Sequence, residues 1–290
     1  MDDKLFTNSQ HCTKYNDVIS DFNSISASVI QGSVVGPTSF SVTAADLRPV
    51  NNYNQIVKFA DDIYLIISSE YIESTAMEMC NIDSWSVSNN LNLNKKKSCE
   101  IIFHSPRSKC DKIQPPTIDG IARVDKLKSL GVVLQSNFSF TEHIDETLNN
   151  CASNLFALRT LKAKGLNSEL INTVFNATVL SKLTYASQFW WGFLNSNEKN
   201  RLESFLRKSE RFNFYSGSST FEELAETADS RLFNSIINNP QHVLYPLLPP
   251  KKDNLFHNLR PRVHSFILPK KQSSLSDKNF VNRMLYKNIF

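Results

Sequence analysis

The chain has 290 residues and a net charge of +4, and 41% of its residues are hydrophobic and 11% aromatic. This composition excludes a disordered chain and predicts about two domains. The acidic start of the sequence and the lack of any apolar run of about 18 residues predict neither a secretory signal nor a membrane span. The five cysteines are odd in number and lack zinc-ligand spacing. We therefore expect reduced thiols in an intracellular protein of the cytoplasm or nucleus.

The first motif follows a predicted strand. Residues 25–30 alternate between apolar and polar side chains, which favours a strand, and Gln31-Gly32-Ser33 interrupts the alternation. Two of only seven glycines, Gly32 and Gly36, fall within five residues here. Glycine permits backbone geometries and close approaches that other residues block. A helix is expected afterwards, within residues 39–47.

Two adjacent aspartates, Asp61 and Asp62, lie between two strand-like runs, 56–60 and 63–67. Strands are depleted in Asp, so the pair is predicted at the turn of a β-hairpin. Two like charges persist at a turn if they are solvated or bound to a cation. The pair therefore predicts either a divalent metal site or an ordinary exposed turn.

A helix is predicted over residues 74–89, and it is expected to pack one face on the sheet. Its apolar positions recur every three residues: Ala76, Met79, Ile82 and Trp85. The basic run Lys95-Lys96-Lys97 and a strand at 100–103 follow. Asp119-Gly120 lies between apolar alternations and predicts a second hairpin with a type I′ turn. The next strand is expected at 130–134.

Helix-rich sequence begins at Thr141, which is predicted to cap a long helix that Gly165 ends. A second helix is expected over 168–185, and the aromatic cluster 189–193 is most simply core. The apolar stripe of the long helix is formed by Ile144, Leu148, Cys151, Leu155, Leu158 and Leu161.

The basic excess lies at the C-terminal end of the chain. Residues 1–200 carry 18 Lys and Arg against 20 Asp and Glu, whereas residues 201–290 carry 14 against 8. Basic and aromatic residues interleave there, which suits phosphate neutralisation with some stacking. The alternative is that basic residues simply keep this surface soluble. The predicted nucleic-acid contacts are Lys251, Lys252, Arg260 and Arg262.

The motifs form an ordered series along the chain. It runs from Gln31-Gly32-Ser33 through Phe59-Ala60-Asp61-Asp62 and the lysine run at 95–97 to Leu130-Gly131-Val132. This series resembles the palm of reverse transcriptases from non-LTR, Jockey-like retrotransposons. The resemblance continues through 138–144, in the thumb, and into the tail, so that almost the whole chain is covered.

The resemblance implies roles for individual residues. Asp61 would be the stronger and Asp62 the auxiliary catalytic ligand of Mg²⁺ or Mn²⁺ in a two-metal nucleotidyl transfer. Gln31-Gly32-Ser33 would contact the incoming nucleotide and the template, with a plain strand-to-helix turn as the alternative. Lys97 would lie near the phosphates of the nucleotide, or on a solvated basic face. The implied partners are an RNA template, a DNA primer and deoxynucleoside triphosphates.

One departure from the family pattern affects the expected activity. The other essential carboxylate of the family lies farther upstream of Gln31 than the 30 residues that precede it here. Loss of a catalytic carboxylate costs several orders of magnitude in rate, so we expect a truncated reverse transcriptase that is inactive alone. The alternatives are a nucleic-acid-binding remnant that uses the thumb and the basic tail, and a transposon relic without function.

The expected fold class is α+β. We expect a partial polymerase palm over residues 1–135, with a small antiparallel sheet and helices on one face. A helical thumb and connection region would follow over 136–240, and a basic tail over 241–290.

Overall fold

A computed structural model of the chain describes residues 10–24, 36–104, 115–252 and 264–287. They mix helices with small two-stranded sheets, in agreement with the expected α+β class. The chain divides into two compact units, residues 1–100 with 111–123 and residues 101–110 with 124–290. Within the described ranges, no helix is both long and apolar enough to cross a membrane.

The first unit begins with two short antiparallel ribbons. Helix α1 then spans Gly36–Thr43 and continues into a 3₁₀ turn at Ala44–Asp46, close to the helix predicted there. The ribbons pair β1 (Gln10–His11) with β4 (Asn23–Ser24), and β2 (Lys14–Tyr15) with β3 (Val18–Ile19).

The aspartate hairpin is the longest strand pair of this unit among the described residues. Strands β5 (Gln55–Phe59) and β6 (Asp62–Ile66) are antiparallel, and their terminal pair is Phe59 with Asp62. A two-residue turn, Ala60-Asp61, therefore connects them. The predicted hairpin is confirmed, and so is the turn position of Asp61, whereas Asp62 is the first residue of β6. The turn residue Ala60 has a φ of 50°, a left-handed backbone that matches the twist of the strands on either side.

Helix α2 spans Thr75–Ser88, within one residue of its predicted ends. Of the four predicted apolar positions, Ile82 is buried, Met79 and Trp85 are half-buried and Ala76 is exposed. Two polar residues that the apolar spacing did not include, Glu78 and Ser86, are buried as well.

The second predicted hairpin is wrong. Asp119 and Gly120 do form a turn, in which Gly120 has a φ of 74°. The following strand β8 (Ala122–Arg123), however, pairs in parallel with β7 (Cys99–Glu100). The parallel pair is closed by the Arg123 Nε to Glu100 Oε2 ion pair, at 2.7 Å. A long-range partner therefore prevailed over the local turn signal.

The second unit opens with the antiparallel pair β9 (Lys126–Ser129) and β10 (Val132–Gln135), followed by the 23-residue helix α3 (Thr141–Ala163). The predicted stripe of α3 is confirmed at Ile144, Cys151, Leu155 and Leu158, which are buried. Thr141 does not cap α3: it is the first helical residue, and its hydroxyl donates a 2.6 Å hydrogen bond to Glu198.

The helices after α3 surround one core. The segment predicted as one helix over 168–185 is a helix with a wide π turn at Asn176–Leu180. The aromatic residues Trp190 and Trp191 are buried in the core, as predicted. The helices in chain order are α4 (Ser168–Phe175), α5 (Ser181–Leu183), α6 (Ser187–Trp190), α7 (Ser196–Arg211) and α8 (Phe221–Ile237).

The last described segment packs on α8. Helices α9 (Ser274–Lys278) and α10 (Phe280–Tyr286) contribute Phe280, Met284 and Leu285 to a second cluster, with Phe233 and Ile236 of α8. The Arg283 guanidinium forms an ion pair of 2.5 Å with the buried Asp229 carboxylate, between Nη1 and Oδ2. A side chain at Gly192 would collide with Arg283 and with the carbonyl of Lys278, so a glycine fits where this segment docks.

Candidate active site

The two aspartates lie at the end of the β5–β6 hairpin. Asp61 is in the turn and Asp62 is the first residue of β6, and both are exposed. The Tyr64 hydroxyl is 3.4 Å from Asp62 Oδ2, a weak contact between two side chains on the same face of the strand. The carboxylates are thus presented to solvent at the tip of a supported hairpin.

The chemistry of the pair suits a hard divalent cation. Carboxylate oxygens are the ligands that Mg²⁺ prefers, and two of them can supply part of its octahedral shell. No group of three or more His, Cys, Asp and Glu side chains that could hold a metal is found within the described ranges. The described residues thus offer an incomplete ligand set.

Lys58 anchors the hairpin. Its side chain points to the half-buried face of β5, and its ammonium donates hydrogen bonds to the carbonyl oxygens of Ala44 and Leu47, the latter at 2.6 Å. Burial lowers the pKa of Lys58, and the nearby Arg48 lowers it further, whereas Asp46 acts in the opposite direction. The lysine thereby ties the strand that leads to Asp61 to the segment after α1.

Glu78 of α2 supports the segment that enters β5. Its carboxylate accepts hydrogen bonds from the backbone N–H groups of Val50, at 3.0 Å, and Asn51, at 2.8 Å, and from Asn54 Nδ2, at 2.9 Å. Burial by itself would raise the pKa of Glu78, but these three hydrogen bonds outweigh it and the pKa lies below its usual value. The carboxylate stays ionised in a buried position because all its partners are donors.

Sequence reasoning missed Lys58 and Glu78. The signal for Lys58 was available, since a lysine shares its strand face with Ile56 in an otherwise alternating run. For Glu78 the sequence offered no signal, because its burial among the residues of α2 is seen only in the structure. Both side chains bind backbone groups of loops. Such contacts do not depend on the residue types of the partners, so no sequence pattern indicates them.

Lys97 lies in an exposed turn. Its backbone N–H donates to the Asn94 carbonyl at 3.0 Å, and its neighbour Lys95 pairs with Asp83 at 3.1 Å. Among the described contacts, none joins Lys97 to Asp61 or Asp62. The placement of Lys97 near the nucleotide phosphates therefore stays a prediction.

The remaining predicted site residues divide into two groups. Gln31, Gly32, Ser33, Arg260 and Arg262 lie outside the described residues. Lys251 and Lys252 are exposed and pair with the segment 265–266 through a β-bridge and a backbone hydrogen bond. The Lys251 ammonium lies 5.8 Å from the centre of the Phe266 ring.

Comparisons with known proteins support the resemblance seen in the motifs. The chain is 28% identical over 181 residues to the RNA-directed DNA polymerase from mobile element jockey of Drosophila funebris, covering 57% of this chain and 19% of that protein. It is 25% identical over 200 residues to the probable RNA-directed DNA polymerase from transposon BS of Drosophila melanogaster, covering 64% and 22%. The jockey protein of Drosophila melanogaster is 28% identical over 138 residues, covering 43% and 15%.

The chain thus spans about a fifth of the length of the curated relatives that it matches. No family model matches the chain, and no solved structure matches it. The predicted similarity to Jockey-like reverse transcriptases is confirmed, at modest identity and over part of the chain.

Proposed function

We propose that this chain, which is similar to part of the RNA-directed DNA polymerases of jockey-type mobile elements, supplies catalytic residues of such a polymerase. The observation that carries the proposal is the exposed Asp61–Asp62 pair at the tip of an anchored hairpin, within a chain that has these relatives. The reaction is template-directed addition of a deoxynucleotide to a DNA primer on RNA.

In this proposal Asp61 is the main metal ligand and Asp62 the auxiliary one. A bound pair of Mg²⁺ or Mn²⁺ ions would stabilise the charge that develops on the attacking and leaving oxygens. The role of the protein is to hold the two carboxylates in one place, and a short hairpin turn with an internal lysine anchor suits this role. Gln31-Gly32-Ser33 would contact the nucleotide and the template, and Lys97 would attract the phosphates.

The outer face of the hairpin supports a role within a larger catalytic unit. Val57, Phe59 and Ile66 are exposed by 48%, 60% and 52% on this face, next to the aspartates. Adjacent apolar side chains of this size mark a surface that another protein element covers. We propose that further polymerase elements pack here and complete the ligand set, and that the chain alone is therefore inactive.

Primer extension tests this proposal. The purified chain, shown to be folded by circular dichroism, is incubated with oligo(dT) on poly(A), deoxythymidine triphosphate and Mg²⁺, beside an Asp61→Asn, Asp62→Asn variant. We expect no extension by either protein. Extension by the parent chain that disappears in the variant would retain the catalytic role of the pair and refute the inactivity of the chain alone.

A second candidate function is non-catalytic nucleic-acid binding through the basic tail. It is favoured by cations that lie over aromatic rings there, Lys251 on Phe266 and Lys271 on Tyr286, the latter at 4.9 Å. Both lysines are exposed and supply positive charge for neutralising phosphates, whereas the Phe266 ring is buried and does not serve for stacking.

Salt dependence of RNA binding tests this second function. Replacing Lys251, Lys252, Arg260 and Arg262 with alanine should reduce the slope of log affinity against log salt by about 3, if all four side chains contact phosphates of a single strand. An unchanged slope would contradict the tail as the binding surface.

A further inference from the structure

A groove runs between helices α3 and α7 of the second unit. The two helices are parallel: the Thr141 hydroxyl binds Glu198 near their starts, and Lys162 Nζ donates to the Phe212 carbonyl, at 2.8 Å, near their ends. Two adjoining cavities of about 390 and 340 Å³ follow the groove and share Leu148, Phe205 and Lys208. The groove thus extends over about three helical turns, or roughly 16 Å.

The floor of the groove is apolar. Leu148 and Phe205 are half-buried there, and Leu155 is buried beneath them. Phe156, at the edge of the second cavity, is 73% exposed. An exposed aromatic ring beside an apolar floor is the kind of surface that a partner covers.

The charges that line the groove have one sign. Its lining includes Arg159, Arg201 and Lys208 but no carboxylate, as far as the described residues show. Arg201 is neutralised by Asp145, at 2.5 Å, outside the groove, whereas Arg159 lies over the Phe212 ring, at 4.6 Å, and keeps its charge. Arg159 and Lys208 therefore leave a net positive charge near the C-terminal ends of both helices.

We propose that this groove docks an acidic amphipathic helix of a protein partner. An apolar stripe at every third or fourth position would cover Leu148, Phe156 and Phe205, in the way that helices bind grooves elsewhere. Acidic residues in its first turn would face Arg159 and Lys208. The docked helix therefore runs antiparallel to α3 and α7, which also places its positive N-terminal dipole at their negative ends.

Charge density favours a peptide over a nucleic acid in this groove. One strand of nucleic acid carries about one phosphate per 3.4 Å, so about five phosphates would lie along the groove. Only two cations, Arg159 and Lys208, are available to offset them, because Arg201 is already paired with Asp145. Two or three carboxylates on a helix match the two cations.

Binding of a designed helical peptide tests the proposal. The probe is a fluorescein-labelled peptide of 18 residues, with leucine at every third or fourth position and three glutamates in its first turn. The matched probe carries lysines in place of the glutamates. Fluorescence anisotropy measures the binding of both probes to the full chain and to two variants of α3, Ala152→Glu in the groove and Ala157→Glu outside it. Both alanines are exposed.

We expect the acidic peptide to bind the parent chain at least about tenfold more tightly than the lysine peptide. Ala152→Glu should weaken its binding by at least about tenfold, whereas Ala157→Glu should change it by less than about twofold. Ser204→Glu, at an exposed lining position of α7, replaces Ala152→Glu if that variant fails to fold.

Two results would overturn the proposal. The first is that the acidic peptide shows no saturable binding, or that both α3 variants bind it alike. The second is that a 12-nucleotide RNA displaces the peptide and itself loses affinity on Ala152→Glu, which would assign the groove to nucleic acid. Either result leaves the proposed role of Asp61 and Asp62 unaffected, because neither assay involves the hairpin.

Discussion

Lys58 lies three residues before Asp61, and its ammonium donates a 2.6 Å hydrogen bond to the carbonyl oxygen of Leu47. It binds the Ala44 carbonyl as well, so that one side chain closes a loop between the 3₁₀ turn after α1 and strand β5. The catalytic turn that we propose is therefore fixed by a lysine whose head group lies on the opposite side of the hairpin from Asp62.

Replacing Lys58 with methionine should loosen this hairpin. Methionine keeps the apolar stem but leaves two carbonyl groups without their donor, and hydrogen bonds to a charged group contribute about 1.5–3 kcal/mol. Hydrogen exchange of the β5 and β6 amides should accelerate by about tenfold or more. Lys96→Met, in an exposed turn, is the matched control and should leave these amides unchanged. Equal exchange in both variants would show that Lys58 does not hold the hairpin.

Glu78→Gln should destabilise the first unit by about 1–3 kcal/mol. If the glutamine amide nitrogen takes the place of Oε2, it faces the Val50 N–H donor and one hydrogen bond is lost. In the other orientation it faces both Asn51 and Asn54, and two are lost. Urea dependence of amide hydrogen exchange in strands β5 and β6 measures the change in the first unit. Glu73→Gln, at an exposed position, is the control and should be neutral.

The same residue predicts a pH dependence. The pKa of Glu78 is lower in the folded protein than its ordinary value of 4.5, so its contribution is fully present above about pH 4.5 and is lost as the pH falls through the folded pKa. The parent chain should therefore lose stability more steeply than Glu78→Gln below pH 4.5. If the stability of the parent chain and of Glu78→Gln falls equally with pH below 4.5, Glu78 is not the group that causes the loss.

His143 predicts a second pH dependence, near neutrality. Burial is the main cause that lowers its pKa from 6.5, and Lys128 adds to it while Glu146 opposes it. The neutral imidazole accepts a long hydrogen bond from the Val133 N–H, at 3.4 Å, so its stabilising effect is present above about pH 6.5 and is lost as the pH falls through the folded pKa.

Unfolding free energies measured between pH 7.5 and pH 5 test the role of His143. They should fall more steeply for the parent chain than for His143→Gln, which retains an acceptor but does not titrate. His242→Gln, at a half-buried position that no charged partner contacts among the described residues, is the control and should keep the parent slope. If the unfolding free energy of His143→Gln falls with pH as steeply as that of the parent chain, another group causes the pH dependence.

Replacing Arg283 alone should destabilise the protein more than replacing Asp229 and Arg283 together. Arg283→Met leaves a carboxylate that is 2% exposed without its cation, and such a change costs about 3–5 kcal/mol. Asp229→Leu combined with Arg283→Met should recover most of the loss, because an apolar pair of similar volume replaces a buried ion pair at little cost. Thermal unfolding of the parent chain, the two single variants Asp229→Leu and Arg283→Met, and the double variant measures these differences in stability. A double variant as unstable as Arg283→Met would contradict this expectation.

Local patterns in the sequence predicted the elements that local physics determines. The alternation around Asp61 and Asp62 predicted the hairpin, the stripe from Ile144 to Leu158 predicted the buried face of α3, and Gly165, with a φ of 92°, lies just after the end of that helix. In each case the sequence signal lies within the element that it predicts or directly beside it.

Long-range polar partners could not be predicted. Glu78 is buried because loop N–H groups 24–28 residues away meet its carboxylate, and Arg123 pairs with Glu100 across a parallel strand pair that the turn at Asp119 did not suggest. Such contacts depend on the tertiary fold and have no local period. For the candidate site, the sequence supplied the two aspartates but not the lysine that anchors their hairpin.

Primer extension by a chimera tests the central claim most directly. Residues 1–135 of this chain, the predicted palm with Asp61 and Asp62, replace the corresponding segment of the jockey polymerase from Drosophila funebris, so that the elements proposed to complete the metal site are present. We predict that the chimera extends oligo(dT) on poly(A) with Mg²⁺, and that Asp61→Asn with Asp62→Asn lowers the rate by about 10³-fold or more. A chimera whose extension rate is unchanged by the two substitutions would contradict the assignment of this hairpin as a catalytic metal site.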